Sequence, residues 1–464
     1  FIINVNSTGN HVVTLGNGND QYTSTGLTAD DNVTATAGNN TINVGAGANT
    51  VTGGTGNDTI IGGAGIDTFT FATGNLTSLD TLTGGDGVDI LTLTDNSTIA
   101  DDDFTLATSI ETVSQADATE TMTIVLGALA DAAGVVTLTG NGAANDSFTA
   151  GAAFNNALEI NVGTGNDTIN ATASSSVVTV KTTEAGITAN DDWTGGTGAA
   201  DELVITGDVG TITAAEMANI EKFEKISFVG DTAVSIALNA ANVASGATLT
   251  VDGAILTSAV LTLDAANIAS TGTVIINNTG TGNHSITLGN GNDTYTSTGA
   301  TADNTVVGTA GTNTITTGAG TDGITGGTGV DNITSGGGVD TIVAGNSNDI
   351  INAGDGNDVI TGGAGADTIT GGAGVDKITG AVGIDVLDGA AGDDIFSYAS
   401  IAEFAASNAV IDTVTGGGGN DTIQVTGAIT IIAADTMARV NTVETLAAAT
   451  QNSAAKTHSI VIDA

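Results

Sequence analysis

The 464-residue chain carries 51 Asp and Glu against 6 Lys and Arg, a formal net charge of −45, which repels nucleic acid and anionic membranes and makes cations the natural partner. It has no Cys and no Pro, which argues against a disulfide-stapled scaffold; metal takes over that role in the reading below. Aromatics at 3% leave too few large side chains for a wide hydrophobic core and favour a long, thin fold whose turns bury small aliphatics against their neighbours.

In chain order, residues 1–72 hold Gly-rich turns that end in Asp20, Asp58 and Asp67, with stretches such as Gly53-Gly54-Thr55-Gly56 between runs of Thr, Val and Ile. Residues 73–145 read as a β-rich module with a short helix, opening on Leu82-Thr83-Gly84-Gly85, reaching Asp89 and continuing to Phe104, Ile110, Glu111 and Val113. Residues 146–170 return to short Gly-Asp turns around Asp167. Residues 171–273 form a second β-rich module, in which Trp193-Thr194-Gly195-Gly196 leads to Asp201, and Met217, Phe223, Glu224 and Ile226 repeat the earlier spacing. Thr213 and Glu216 make a capping box there and predict a short helix near 214–221. Residues 274–398 are the longest Gly-Asp block. Residues 399–464 close with a third module: Val414-Thr415-Gly416-Gly417, Asp421, Met437, Val443, Glu444 and Leu446. Alternating runs such as Val135-Val136-Thr137-Leu138-Thr139 and Leu249-Thr250-Val251 predict strands of solenoid-like or sandwich type. The repeated glutamate reads as a cap or a solvent-facing residue, since a Glu at a helix-to-strand junction seldom does acid catalysis.

Within 274–398 an aspartate recurs every nine residues without a break: Asp322, Asp331, Asp340, Asp349, Asp358, Asp367, Asp376, Asp385 and Asp394. The turn half of each repeat reads Gly-Gly-x-Gly-x-Asp, as in Gly362, Gly363, Gly365 and Asp367, or Gly371, Gly372, Gly374 and Asp376. Two residues after each aspartate stands an apolar side chain, from Ile324 and Ile333 through to Leu387 and Phe396. A nine-residue period fits neither a helix nor a plain strand; it fits a coil in which about six residues turn and about three run extended. Glycine permits positive φ and convergent carbonyls, and the apolar residue points into a narrow core.

These repeats resemble the RTX calcium-binding nonapeptide family, and the whole chain is most similar to RTX-type bacterial S-layer proteins. The resemblance implies an all-β fold: an elongated parallel β-roll or β-solenoid of nonapeptide repeats, alternating with small β-rich modules that bear short helices. It further implies that two nonapeptides make one coil, so that carboxylates 18 residues apart meet, from Asp322 with Asp340 to Asp376 with Asp394. Hard oxygen ligands from Asp and Gly carbonyls suit Ca²⁺, and the chain offers no Cys or clustered His for a softer metal. About seven ions are expected in 313–394 and a few elsewhere, with Asp20, Asp58, Asp67, Asp89, Asp167, Asp293 and Asp421 as further ligands. A larger period supports the weaker first block. Residues 1–60 return at 274–333 with an offset of 273, and Asn49 stands where the second copy has Asp322, so one or two ions are expected there. His11 and His284 occupy the aspartate phase and read as turn residues rather than metal ligands.

No Gly-x-Ser-x-Gly elbow, His-Glu-x-x-His motif or cysteine nucleophile occurs, so no enzymatic activity is expected. The Gly-rich turns lack the Lys of a phosphate loop. No run of 18 apolar residues and no charged-then-apolar leader occurs, and a chain opening on Phe1 reads as processed or as part of something longer. Weak calcium modules work at extracellular calcium levels, which places the protein outside the cell. Resemblance implies type I secretion to the surface of a Gram-negative bacterium, self-association into a lattice, and anchoring on lipopolysaccharide. A calcium-stiffened adhesin or extracellular filament, and the repeat region of a secreted RTX toxin or hydrolase, remain as alternatives.

Overall fold

A computed structural model of the chain describes residues 1–399 apart from positions 27, 141, 199, 208, 209, 255, 270 and 300, and beyond them residues 412–426, 440–448, 460 and 461. The chain forms two compact units, one of residues 1–207 with 215–227 and one of 208–214 with 228–464. Each is an all-β parallel solenoid.

In the second unit the strands are short and alternate between two sheets. One sheet runs from Thr211–Ile212 through Gly323–Thr328, Thr341–Asn346, Val359–Ala364 and Lys377–Val382 to Thr422–Val425 and Thr445–Ala448. Register is set by the buried apolar residue of each repeat. Ile324 lies beside Ile342, then Ile360, Ile378 and Phe396, while in the opposite sheet Ile333 lies beside Ile351, Ile369 and Leu387. All of these are at most 2% exposed. A one-residue slip would turn every one of them outward, and burying each contributes about 1.5–3 kcal/mol, so the nonapeptide phase fixes the pairing. Their neighbours along each strand, such as Thr341 and Thr361, are exposed or half-buried, which gives the expected alternation.

The first unit follows the same plan, with Ile42, Ile60 and Leu82 stacked in one sheet and Val33, Val51, Phe69 and Leu91 in the other. The segments between the Gly-Asp blocks continue the parallel stacking with longer coils; no sandwich forms among the described residues. Val113 pairs with Leu138 at a distance of 25 residues, and Ile236 with Leu263 at 27, against 18 in the repeat block. The extra residues bulge from the coil as turns and short helices: a 3-10 helix at Asp101–Phe104, an α-helix at Ala128–Ala133 and a 3-10 turn at Glu184–Gly186. Among the described residues the strands pair in parallel, the exception being 445–446 against 460–461.

The helix expected near 214–221 is absent. Residues 214–219 form successive turns, with bonds from the Ala218 N–H to the Ala215 carbonyl and from the Ile220 N–H to the Met217 carbonyl, and Ile220–Glu221 is already a strand. The local capping signal is outweighed because Ile220 must reach its pairing position beside Trp193, which leaves too few residues for a stable helix. Met217, Phe223 and Ile226 are buried as a packing group, as are Phe104, Ile110 and Val113 in the first module and Val443 and Leu446 in the third. Met437 and the chain's closing residues 462–464 lie outside the described residues.

Candidate metal centre

The aspartates that end the turns build a ladder. The N–H of Asp322 donates to Oδ1 of Asp340 at 2.8 Å, Asp340 to Asp358 at 2.8 Å, Asp358 to Asp376 at 2.9 Å and Asp376 to Asp394 at 2.9 Å. The second row runs Asp331 to Asp349, Asp367 and Asp385 with distances of 2.8 to 2.9 Å. All seven pairs expected at 18 residues are therefore brought together. The rows continue where the spacing stretches to 27, from Asp385 to Asp412 and from Asp394 to Asp421. In the first unit the same bonds join Asp58 to Asp80, Asp67 to Asp89, Asp146 to Asp167 and Asp167 to Asp191. Asp20 and Asp293 stand in the rows as well, their N–H groups reaching the side-chain oxygens of Asn40 and Asn313.

These bonds use only one carboxylate oxygen. Oδ2 of Asp331, Asp349, Asp358, Asp367, Asp376, Asp385 and Asp394 is buried without a hydrogen-bond partner, and so is Oδ2 of Asp67, Asp89, Asp167 and Asp421. Such an oxygen costs folding free energy unless a donor or cation meets it. At Asp331, Asp367, Asp376, Asp385, Asp394, Asp67, Asp89 and Asp421 it faces a glycine five residues back, and at most of them a carbonyl from the next coil as well; Asp349, Asp358 and Asp167 have Ala344, Ala353 and Val162 at that position. A Cβ placed on Gly389 would lie 2.7 Å from the Gly416 carbonyl oxygen and closer still to Asp394 Oδ2. On Gly362 it would lie 3.0 Å from the Gly380 carbonyl and again against Asp367 Oδ2; Gly371 faces Asp376 Oδ2 in the same way. At Gly362, Gly371 and Gly389 the missing Cβ thus leaves a cradle beside the carboxylate oxygen. The following glycines shape the turn, with φ of +118° at Gly363, +145° at Gly365, +120° at Gly372 and +133° at Gly374. Among the described residues no three His, Cys, Asp or Glu side chains gather in one place, so an ion here must draw on turn carbonyls. That donor set of hard oxygens fits Ca²⁺, whose charge would offset the buried carboxylates. Without a cation, burial pushes the carboxyls up from 3.8: Asp349 and Asp167 to about 7, and Asp358, Asp394 and Asp89 to about 6.

Other rungs meet their own needs. Asn313 Nδ2 faces the Gly326 carbonyl at 3.4 Å beside Gly308, so a donor meets the acceptor where the Asp rungs set two acceptors together. Asn49 Nδ2 donates to Asp67 Oδ1 and Asn40 Nδ2 to Asp58 Oδ1. Oδ2 of Asp80, Asp191 and Asp201 takes the N–H of Thr77, Thr188 and Gly196. Both histidines of the aspartate phase stand in the ladder. His284 Nδ1 accepts the Leu261 N–H at 3.0 Å, which puts the ring proton on Nε2 and leaves no lone pair for a metal; burial lowers its pKa to about 4. His11 packs its Nδ1 2.7 Å from Asp31 Oδ1.

The glutamates of the recurring module were not legible as ladder members. Oε2 of Glu111, Glu224 and Glu444 accepts the N–H of Asp89, Asp201 and Asp421 at 2.7 to 2.9 Å, ending a row each time. Their spacing to the preceding aspartate is 22 or 23 residues, which no nine-residue phase reveals; the signal is the shared offset in all three modules.

Comparison with known proteins agrees with this arrangement. The RTX calcium-binding nonapeptide repeat family matches residues 25–59, 34–69, 78–95, 298–333, 334–369, 370–400 and 408–424. Over these segments the chain consists of RTX nonapeptide repeats, a class of repeat that binds calcium. No curated protein matches the chain.

Proposed function

We propose that the chain is an extracellular calcium-binding structural protein, without catalytic activity, whose copies assemble into a surface layer on a Gram-negative bacterium. The observation that carries this reading is the ladder of buried carboxylates, eleven of which (seven in the second-unit run Asp331–Asp394 and Asp67, Asp89, Asp167 and Asp421) leave one oxygen without a donor, in both units of the chain. About seven ions are held in 313–394 and a few elsewhere, and folding of the acidic coils waits for them. RTX repeat proteins are typically secreted, and among the described residues no helix is long and apolar enough to cross a membrane, which says nothing of crossing by strands. Apolar residues on outward faces of the second unit, among them Val343 at 41% exposure, Ile350 at 53% and Val382 at 72%, supply contact surface for neighbouring copies; lipopolysaccharide is the proposed anchor. Electron microscopy of the purified protein at millimolar calcium and after chelation tests this. Ordered sheets that dissolve with the chelator support it; single calcium-dependent rods would replace it with a stiff adhesin stalk, and a form indifferent to calcium would overturn it.

A further inference from the structure

The turn after strand Ile2–Val5 gathers a hydroxyl, an imidazole and a carboxylate in one line. Ser7 Oγ lies 2.8 Å from Nε2 of His11, and Nδ1 of the same ring lies 2.7 Å from Oδ1 of Asp31. Asp31 is itself anchored: Tyr22 donates its hydroxyl to Oδ2 at 2.8 Å, and the His11 N–H donates to Oδ1 at 3.1 Å. Burial works against charge on Asp31, but bonds from Tyr22, His11 and Ser24 outweigh it and hold the carboxyl below its ordinary value. A carboxylate at Nδ1 keeps the ring proton there and leaves the Nε2 lone pair toward the Ser7 hydroxyl. The Asp31 side chain is fully buried, the His11 ring is 23% exposed and Ser7 is exposed, so nucleophile and base reach solvent while the acid does not. Both Asp31 oxygens have donors, so this rung makes no demand on calcium.

The second copy of the repeat supplies the contrast. At the offset of 273, Tyr295 and His284 match Tyr22 and His11, but Gly280 stands for Ser7 and Asn304 for Asp31. There Nδ1 accepts the Leu261 N–H, so the ring proton sits on Nε2, the reverse of His11. The coil forms all the same, with Tyr295 donating to Asn304 Oδ1 at 3.2 Å, so folding does not require the Ser7 and Asp31 pair.

We propose that Ser7, His11 and Asp31 form a covalent modification site at which Ser7 takes an acyl group from an ester or thioester. The Ser7 oxygen bonds to the acyl carbon as the bond from that carbon to the leaving oxygen or sulfur breaks. The Ser7 proton passes to His11 Nε2 and from there to the leaving group, and no further reactant is consumed. Asp31 is a positioning residue: it holds the ring and offsets its transient positive charge.

The test uses p-nitrophenyl acetate on the full-length, calcium-loaded chain, with acetylated residues located by peptide mass spectrometry. Ser7 should be acetylated about a hundredfold faster than the other exposed serines, the gain a positioned general base supplies. His11→Gln and Asp31→Asn should each bring Ser7 down to the rate of those serines. Asn304 already fills the Asp31 place in the second copy, so Asp31→Asn should bind the wild-type number of calcium ions while it loses the fast labelling. In the wild type, Ser7 labelled no faster than the other serines overturns the site and leaves the calcium function in place; so does fast labelling that persists in His11→Gln. Calcium lost together with labelling in Asp31→Asn would show Asp31 serving the fold alone and would overturn its positioning role.

Discussion

Rungs 304–313 and 322–394 lie in one unit and share one backbone plan, yet they differ in what they require. At Asn304 and Asn313 the side-chain amide donates to Asp322 Oδ1 and toward the Gly326 carbonyl, so donors and acceptors balance within the protein. Nine residues on, Asp322 opens a run in which the same backbone bonds recur, but from Asp331 on the carboxylates of Asp331, Asp349, Asp358, Asp367, Asp376, Asp385 and Asp394 leave Oδ2 buried without a donor. One atom of difference, amide nitrogen for carboxylate oxygen, converts a self-sufficient coil into one that needs a cation. The lesson is that calcium demand in this chain is written rung by rung, as the identity of one side chain.

The largest effect that sharpens this contrast is calcium removal. Chelation should strip protection from backbone amides throughout 322–394, by a hundredfold or more in hydrogen exchange, because seven of its buried carboxylates are then left with an oxygen that no donor meets. Asp358→Ala should come next. It removes the acceptor of the Asp340 N–H and a carboxylate from the row between Asp340 and Asp376, weakening binding at both neighbours and costing about 1–3 kcal/mol for the stranded N–H. Unchanged calcium stoichiometry and melting in that variant would break the pairing. Asn313→Asp reverses the contrast: it should add an ion at saturation and lower the melting temperature in chelator, both readable by titration and thermal scans.

Acidity supplies a further handle. In the calcium-free chain burial raises Asp349 to about 7 and Asp358 and Asp394 to about 6, above the unfolded value of 3.8. The folded form therefore holds more protons than the unfolded one across that interval, and its stability falls as pH rises. The contribution is present below about pH 4 and lost by about pH 7, so the calcium-free chain should gain structure on acidification from pH 8 to 5, seen by circular dichroism. Calcium affinity should fall over the same interval, since ions and protons compete for these oxygens. The smallest effect concerns strain: Ala381 at φ +75° stands where earlier repeats have Gly363 or Gly372, and Ala381→Gly should stabilise by about 0.5–1 kcal/mol in denaturant unfolding.

Much of this was legible in the sequence. A nine-residue phase with Ile two places after Asp predicts both the 18-residue pairing and the buried stacks, because period and burial are the same constraint. The Asn49 for Asp322 difference likewise signals weaker metal chemistry in the first copy. What stayed hidden depends on coils of variable length. Asp80, Asp146 and Asp191 enter the ladder at offsets of 21 to 24 residues, and Glu111 at 22, so no fixed period finds them. Thr213 and Glu216 carry a helix-start signal that the pairing of Ile220 with Trp193 overrides.

The most direct measurement is residue-resolved hydrogen exchange of the full chain with and without calcium, read at the Asp322, Asp340, Asp358 and Asp376 amides that donate along the ladder. Protection that appears only with calcium is the predicted result; protection of equal strength in chelator would mean the ladder stands without cations and would contradict the account.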